Sequence, residues 1–159
     1  MNEQQTMTRD DIMRETLEHV RRVAELMLDA IENLQRRAVR HDDSKFSVEE
    51  FESFAQETPG LKSLVYGSDE YREALRRIKP AIKHHQANNR HHPEYHAGGF
   101  ADMNLLDLIE MLADWRAATE RHETGDLRKS IELNAERFGY GDDMKRRLYL
   151  TAAALGWCA

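Results

Sequence analysis

From residue 12 onward the chain sets its apolar side chains three or four positions apart. Ile12, Thr16, Val20, Val23, Met27, Ile31 and Leu34 follow one another at that step, which predicts one long amphipathic helix to about residue 39. Thr8 is its N-cap, and Asp10 and Asp11 suit the positive end of the helix dipole. His19, three after Thr16 and four before Val23, falls on the stripe expected to be buried. HDDSKF reads as a short turn or helix end. Ser47 and Glu50 form an S-x-x-E capping box for a helix through about residue 56, which Thr58-Pro59-Gly60 ends. Ser68 or Asp69 caps the next helix, carried by Tyr71, Leu75, Ile78 and Ile82. Pro80 should kink it, and His84 and His85 come near its end. Residues 88–103, with Pro93 and Gly98-Gly99, read as a loop. Helices then follow over about 104–119, 126–138 and 142–155, and Leu105, Leu106, Ile109, Leu112 and Trp115 fall to the core. Strand signals are scarce. The expectation is all-α: a compact bundle of six or seven helices in one domain over 1–159, with 1–8 a flexible N-terminus.

Composition narrows the function. The chain is 40% hydrophobic and 33% charged with both signs mixed, as in a folded helical protein rather than a disordered one. Its net charge of −6 disfavours nucleic-acid polymers and anionic membranes as partners. Cys158 is the only cysteine, so there is no internal disulfide and no thiolate metal site, as suits a reducing compartment. The polar start MNEQQTMTRDD has no signal-peptide core. No apolar run approaches the ~20 residues of a membrane span. A cytoplasmic location, in a bacterial cell or a phage-infected host, is the expectation.

The histidines carry the chemistry. One stands in His41-Asp42, and the run HHQANNRHHPE holds His84, His85, His91 and His92. At an irregular helix end, His41 and Asp42 can reach one ion from two sides. Asp107, Glu110 and Asp114 lie at i, i+3 and i+7, on one stripe of an otherwise apolar helix. A buried carboxylate needs a partner, and a metal held by His19, His41, Asp42 and Asp114 would provide it. Imidazole and carboxylate suit Mn, Fe, Co, Ni or Zn. His84-His85 could instead simply end a helix, where imidazolium suits the dipole. A second pair, His91-His92, so close by is unusual for a solvated loop. His96 and His122 read as surface residues. Asp107 and Glu110 read equally as further metal ligands or as groups that only orient ligands or pair with arginines.

A helical histidine, then HDDSK, then an aspartate in an apolar helix resembles the HD-domain metal-dependent phosphohydrolase superfamily, over about residues 19–137. EHVRRVAELM is similar to its first-histidine helix, and LADWRAAT to the segment with its last aspartate. HHQANNRHHPE looks like the double-histidine segment of the two-metal branch. That branch continues into Gly-Tyr-Pro where this chain has His91-His92-Pro93, so its cyclic-dinucleotide specificity is not implied. The nearest likeness is to short HD-like proteins frequent in phages and bacteria. The resemblance implies His19, His41, Asp42 and Asp114 as ligands of a first metal. It implies His84 and one of His91 or His92 for a second, with His85 and Glu94 as further ligands. One or two divalent transition-metal ions would be the cofactor.

Such an ion activates water and polarises a phosphoryl oxygen, with Asp42 and Lys45 as the expected catalytic residues. The phosphate needs cations. Lys45, three after Asp42, is best placed; Arg90, Arg121, Lys129 and Arg137 are the further choices. Lys129-Ser130 and Asn134-Arg137 stand about one helical turn apart and could share a pocket wall. The expected activity is hydrolysis of a nucleotide or similar small phosphate ester, of nucleotidase or dNTP-hydrolase type. The alternatives are a phosphodiesterase for cyclic or linear oligonucleotides, and a non-catalytic, metal-stabilised module that binds a nucleotide or a partner. The apolar stretch LYLTAAALGW reads as core or as the face of a homodimer.

Overall fold

A three- to four-residue period gathers side chains on one face only if the backbone is helical. The computed structural model describes residues 7–61, 69–121 and 125–158, and among these it holds helices and turns but no strand. Six α-helices are present: α1 (Arg9–Arg40), α2 (Val48–Leu61), α3 (Asp69–Asn88), α4 (Leu105–Thr119), α5 (Leu127–Phe138) and α6 (Asp142–Ala154). Three short 3-10 helices, Asp43–Phe46, Pro93–Tyr95 and Gly99–Asp102, link them. The all-α class expected from the sequence is the class found. No helix among the described residues is long and apolar enough to cross a membrane.

Chain contacts separate two units, Met1–Val39 and Arg40–Ala159. The first is α1. Its start is a reciprocal cap: Thr8 Oγ1 accepts from the Asp11 N–H at 3.2 Å, and Asp11 Oδ2 accepts from the Thr8 N–H at 3.1 Å. No residue of α1 is buried. The stripe expected to be buried, His19 included, is therefore exposed apart from half-buried Leu34.

In the second unit α4, α5 and α6 close on Leu112, Leu127, Ile131, Ala135, Tyr140, Leu148 and Ala152. Met103, Leu108 and Met111 form a smaller cluster beside them, and Phe100, Trp115 and Met144 pack against both. The Tyr140 hydroxyl, itself buried, donates to the Ile131 carbonyl at 2.6 Å. Gly139, at φ 72°, ends α5 in the left-handed conformation that glycine takes without strain. Ile131 is fully buried. Ile131→Ala should cost about 2–5 kcal/mol, seen as a lower denaturant midpoint at unchanged slope.

Several local expectations change. Leu105 is 76% exposed, while Leu108 and Met111 are buried, so the buried stripe of α4 runs through Leu108 and Leu112 instead. Helix α2 does not stop at residue 56. It continues to Leu61 with Pro59 inside, because a proline in a final turn removes one backbone bond without breaking the turns before it. The Ser47–Glu50 capping box does not form: Ser47 Oγ has no hydrogen-bond partner, and Glu50 turns inward to two histidines. Helix α3 runs on past Pro80 to Asn88. Of its two expected caps, Ser68 lies outside the described residues and Asp69 is the first residue of the helix. In LYLTAAALGW, Leu148 and Ala152 are core, whereas Leu150 and Leu155 are exposed.

Candidate metal centre

The second unit brings its polar groups together around one carboxylate. Asp42 sits between α1 and the Asp43–Phe46 turn at φ 61°, the one positive φ outside glycine among the described residues. Aspartate tolerates this conformation better than most residues. The bend lets two neighbours in sequence face each other: His41 Nε2 lies 3.4 Å from Asp42 Oδ2. On α3, Ala74, Ile78, Ala81 and His85 are buried at steps of four, three and four. That stripe carries His85 inward and leaves His84 about 100° round the helix, half-exposed. Asn89 closes α3. Its side-chain amide donates to the His85 carbonyl at 2.7 Å and to Ser44 Oγ at 2.6 Å. His91 and His92 follow in the link to Pro93–Tyr95, and Glu110 and Asp114 come from one face of α4.

The two oxygens of Asp42 face different groups. Oδ1 lies 3.3 Å from His85 Nε2 and 3.5 Å from His91 Nε2. Oδ2 accepts from Lys45 Nζ at 2.5 Å. Asp42 Oδ1, both His91 ring nitrogens and His92 Nε2 are buried without a hydrogen-bond partner. A buried polar atom left this way costs on the order of 1–3 kcal/mol, so several around one point call for a common partner. One ligand atom from each of Asp42, His85, His91 and His92 lies within 4.8 Å of the others. Tetrahedral ligands at about 2.1 Å from an ion stand about 3.4 Å apart, the spacing seen around Oδ1. Three imidazoles and a carboxylate thus fit a divalent transition-metal ion.

Two overlapping groups lie alongside: His41, Asp42 and Asp114, and His41, His91 and Glu110. Glu110 Oε1 is 3.0 Å from His41 Nδ1 and 3.3 Å from His91 Nδ1. Asp114 Oδ1 is 3.8 Å from His41 Nε2. Hydrogen bonding to Asp114 and Glu110 raises the pKa of His41 to about 10. Burial works against ionisation of Asp42, but Lys45 and His41 outweigh it and hold the carboxyl below its usual range. Glu110 and Asp114 are also held low: burial opposes, and the neighbouring histidines prevail. Burial pushes His92 down to about 4, with the charges of His91 and His85 adding to it. Burial lowers His85 as well. Neutral imidazole is the form that ligates metal, so His85 and His92 are held ready for it.

The structure gathers His41, Asp42, His85, His91, His92, Glu110 and Asp114, all of them singled out in the sequence. His84 goes elsewhere: its Nδ1 lies 2.7 Å from Glu50 Oε1. Glu94 accepts from Arg137 Nη2 at 2.7 Å and from Gln86 at 3.2 Å. Asp107 is fully buried at the start of α4. Its Oδ2 accepts from the Asn104 N–H at 3.0 Å, and Arg90 donates to both its oxygens at 3.2 Å. It holds a helix end, and Asp107→Ala should lower stability by about 1–3 kcal/mol while bound metal per chain stays unchanged in elemental analysis. Among the expected phosphate contacts, Lys45 is at the centre. Arg90 and Arg137 are taken by Asp107 and Glu94, and Arg121 and Lys129 are exposed. His19 belongs to the other unit, Met1–Val39. His96, expected at the surface, has a side chain only 7% exposed, with Nε2 donating to the Arg90 carbonyl at 2.8 Å. His122 lies outside the described residues.

Sequence reasoning placed Glu50 as a cap, yet it is fully buried against His84 and His85. Ser44 and Asn89 drew no notice at all. The spacing Ile78, Ala81, His85 was the available signal for His85.

Over residues 8–154 the chain matches the family described as a family of unknown function, DUF5662, and it belongs to that family. No curated protein and no solved structure matches it significantly.

Proposed function

We propose that this chain is a metal-dependent phosphohydrolase of the HD type, acting on a nucleotide or similar small phosphate ester. One observation carries the reading: Asp42 Oδ1, His91 Nε2 and His92 Nε2 are buried without partners, and one ligand atom from each of these residues and from His85 lies within 4.8 Å of the others. Asp42, His85, His91 and His92 would hold the ion, with Mn, Fe, Co, Ni or Zn suited to them. A divalent ion so held lowers the pKa of water and polarises a phosphoryl oxygen.

The chain's own groups do the rest. Lys45 keeps its ammonium on Asp42 Oδ2 while its side chain is 40% exposed, so its other N–H groups are open to a phosphate oxygen. His41, positively charged beside Asp42 and Asp114, adds a second positive group where phosphate charge must be balanced. His41, Asp42 and Asp114 offer a position for a second ion. Filling it requires Lys45 to leave Oδ2 and His41 to give up its proton.

The test starts with metal content per untagged chain, by elemental analysis. Protein loaded with each of the five metals is then assayed for phosphate release from nucleoside mono- and triphosphates. The expected result is at least one tightly held ion and release with at least one metal. A chain that stays metal-free after soaking in all five would overturn the reading. Cyclic and linear oligonucleotides belong in the same screen, because diester cleavage without monoester hydrolysis would move the reaction to a phosphodiesterase.

A further inference from the structure

Glu50 is the most deeply buried carboxylate beside the centre, and no part of the hydrolytic reading uses it. It is fully buried on α2, between two histidines of α3. Its Oε1 lies 2.7 Å from His84 Nδ1, and its Oε2 lies 3.0 Å from His85 Nδ1. The Ser44 hydroxyl gives its one hydrogen to Glu50, although its Oγ also lies 3.2 Å from His85 Nδ1. Asn89 Nδ2 is 3.1 Å from the same His85 nitrogen. Its two amide hydrogens, however, go to Ser44 Oγ at 2.6 Å and the His85 carbonyl at 2.7 Å, so it has none left for the ring. A carboxylate only accepts. The hydrogen between His85 and Glu50 therefore sits on Nδ1.

That placement decides what the other nitrogen does. With the hydrogen on Nδ1, His85 Nε2 carries a lone pair and points at Asp42 Oδ1, 3.3 Å away. Two acceptors then face each other, which accounts for the lack of a partner on Oδ1. On α4, Glu110 Oε1 accepts from His41 Nδ1 at 3.0 Å, and His41 Nε2 lies 3.4 Å from Asp42 Oδ2.

We propose that Glu50 is a positioning residue that fixes the tautomer and the ring direction of His85 for metal binding, with His84 and Ser44 holding Glu50 in place. Hydrogen bonds of this kind to a ligating histidine change metal affinity by about 10–100-fold. The inference deepens the metal-centre reading and rests on it. His84 then acts at one remove, by steadying the glutamate rather than by ligating.

The experiment has two parts. In metal-free wild-type protein, long-range 15N–1H spectra of the imidazoles should show the His85 hydrogen on Nδ1. A hydrogen on Nε2 overturns the proposal with no variant needed. Cobalt(II) alone is then titrated into wild type, Glu50→Gln and Glu57→Gln, with affinity and the visible absorption of the bound ion as readouts. Glu57, on the same helix, pairs with Arg77 at the surface and serves as the control. Glu50→Gln should bind about 10–100-fold more weakly with an altered spectrum, and Glu57→Gln should match wild type. A folded Glu50→Gln protein with wild-type affinity and spectrum overturns the proposal. Wild-type protein that binds cobalt but hydrolyses nothing overturns the hydrolase reading alone. Wild-type protein that binds no cobalt overturns the positioning proposal, and the hydrolase reading then turns on the other four metals.

Discussion

Asp42→Asn should empty the centre. The variant is expected to retain no tightly held ion by elemental analysis, and turnover should fall on the order of 10³-fold or more. One carboxylate serves three roles that the amide cannot. It offers Oδ1 toward His85 and His91. It pairs with Lys45. It also places a negative charge beside His41, whose pKa is raised to about 10. Asparagine keeps the shape and takes the left-handed backbone found at this position, so the chain should still fold. A melting curve in chelator within about 1 kcal/mol of wild type, a usual tolerance for a near-isosteric change away from the core, would establish that. A variant that binds metal and turns over like wild type would remove Asp42 from the chemistry.

Removing the metal should be the largest change in stability that needs no mutation. An ion that binds only the folded chain, at 100 times its dissociation constant, stabilises it by about 2.7 kcal/mol. In a chain of this length that raises Tm by roughly 5–10 °C. The physical source is specific. Without the ion, Asp42 Oδ1, His91 Nε2 and His92 Nε2 are buried without partners. With it, each would gain a bond, and the negative charges of Asp42, Asp114 and Glu110 would gain a counterion. The shift between chelator-treated and reloaded protein should vanish in Asp42→Asn and in His91→Ala. A chelator that strips the ion and leaves Tm unmoved would mean the ion sat elsewhere, on exposed side chains.

The fold was legible because helical period, caps and breakers act locally. Asp126 and Gly139 bracket α5 as their chemistry dictates, and the ends of α1, α4 and α6 fall within a residue or so of where pattern places them. The centre was legible in part. His41-Asp42, the double histidines and Asp114 stand out by residue type. Which of two adjacent histidines turns inward was decided by the rest of α3: Ala74, Ile78 and Ala81 set the buried stripe that His85 continues. Glu50 was hidden by a better-known use of the same pattern. Ser47-x-x-Glu50 has the form of a helix cap, yet two histidines from 34 and 35 residues away compete for the glutamate and win. Such long-range partners leave no trace in local spacing. The acids that pair with Arg90 and Arg137, Asp107 and Glu94, are likewise 17 and 43 residues off.

The backbone at Asp42 narrows what this position can become. With φ at 61°, it admits glycine, asparagine and aspartate readily and penalises nearly everything else, by roughly 1–2 kcal/mol. The cations and imidazoles around it admit only a carboxylate. Aspartate is the sole residue on both lists. Even glutamate, the usual conservative exchange, would meet a strained backbone and carry its charge one methylene too far. Among relatives that share this bend and keep the centre, the position should admit no drift, and a chain found with asparagine or glycine there should have kept the fold and lost the ion.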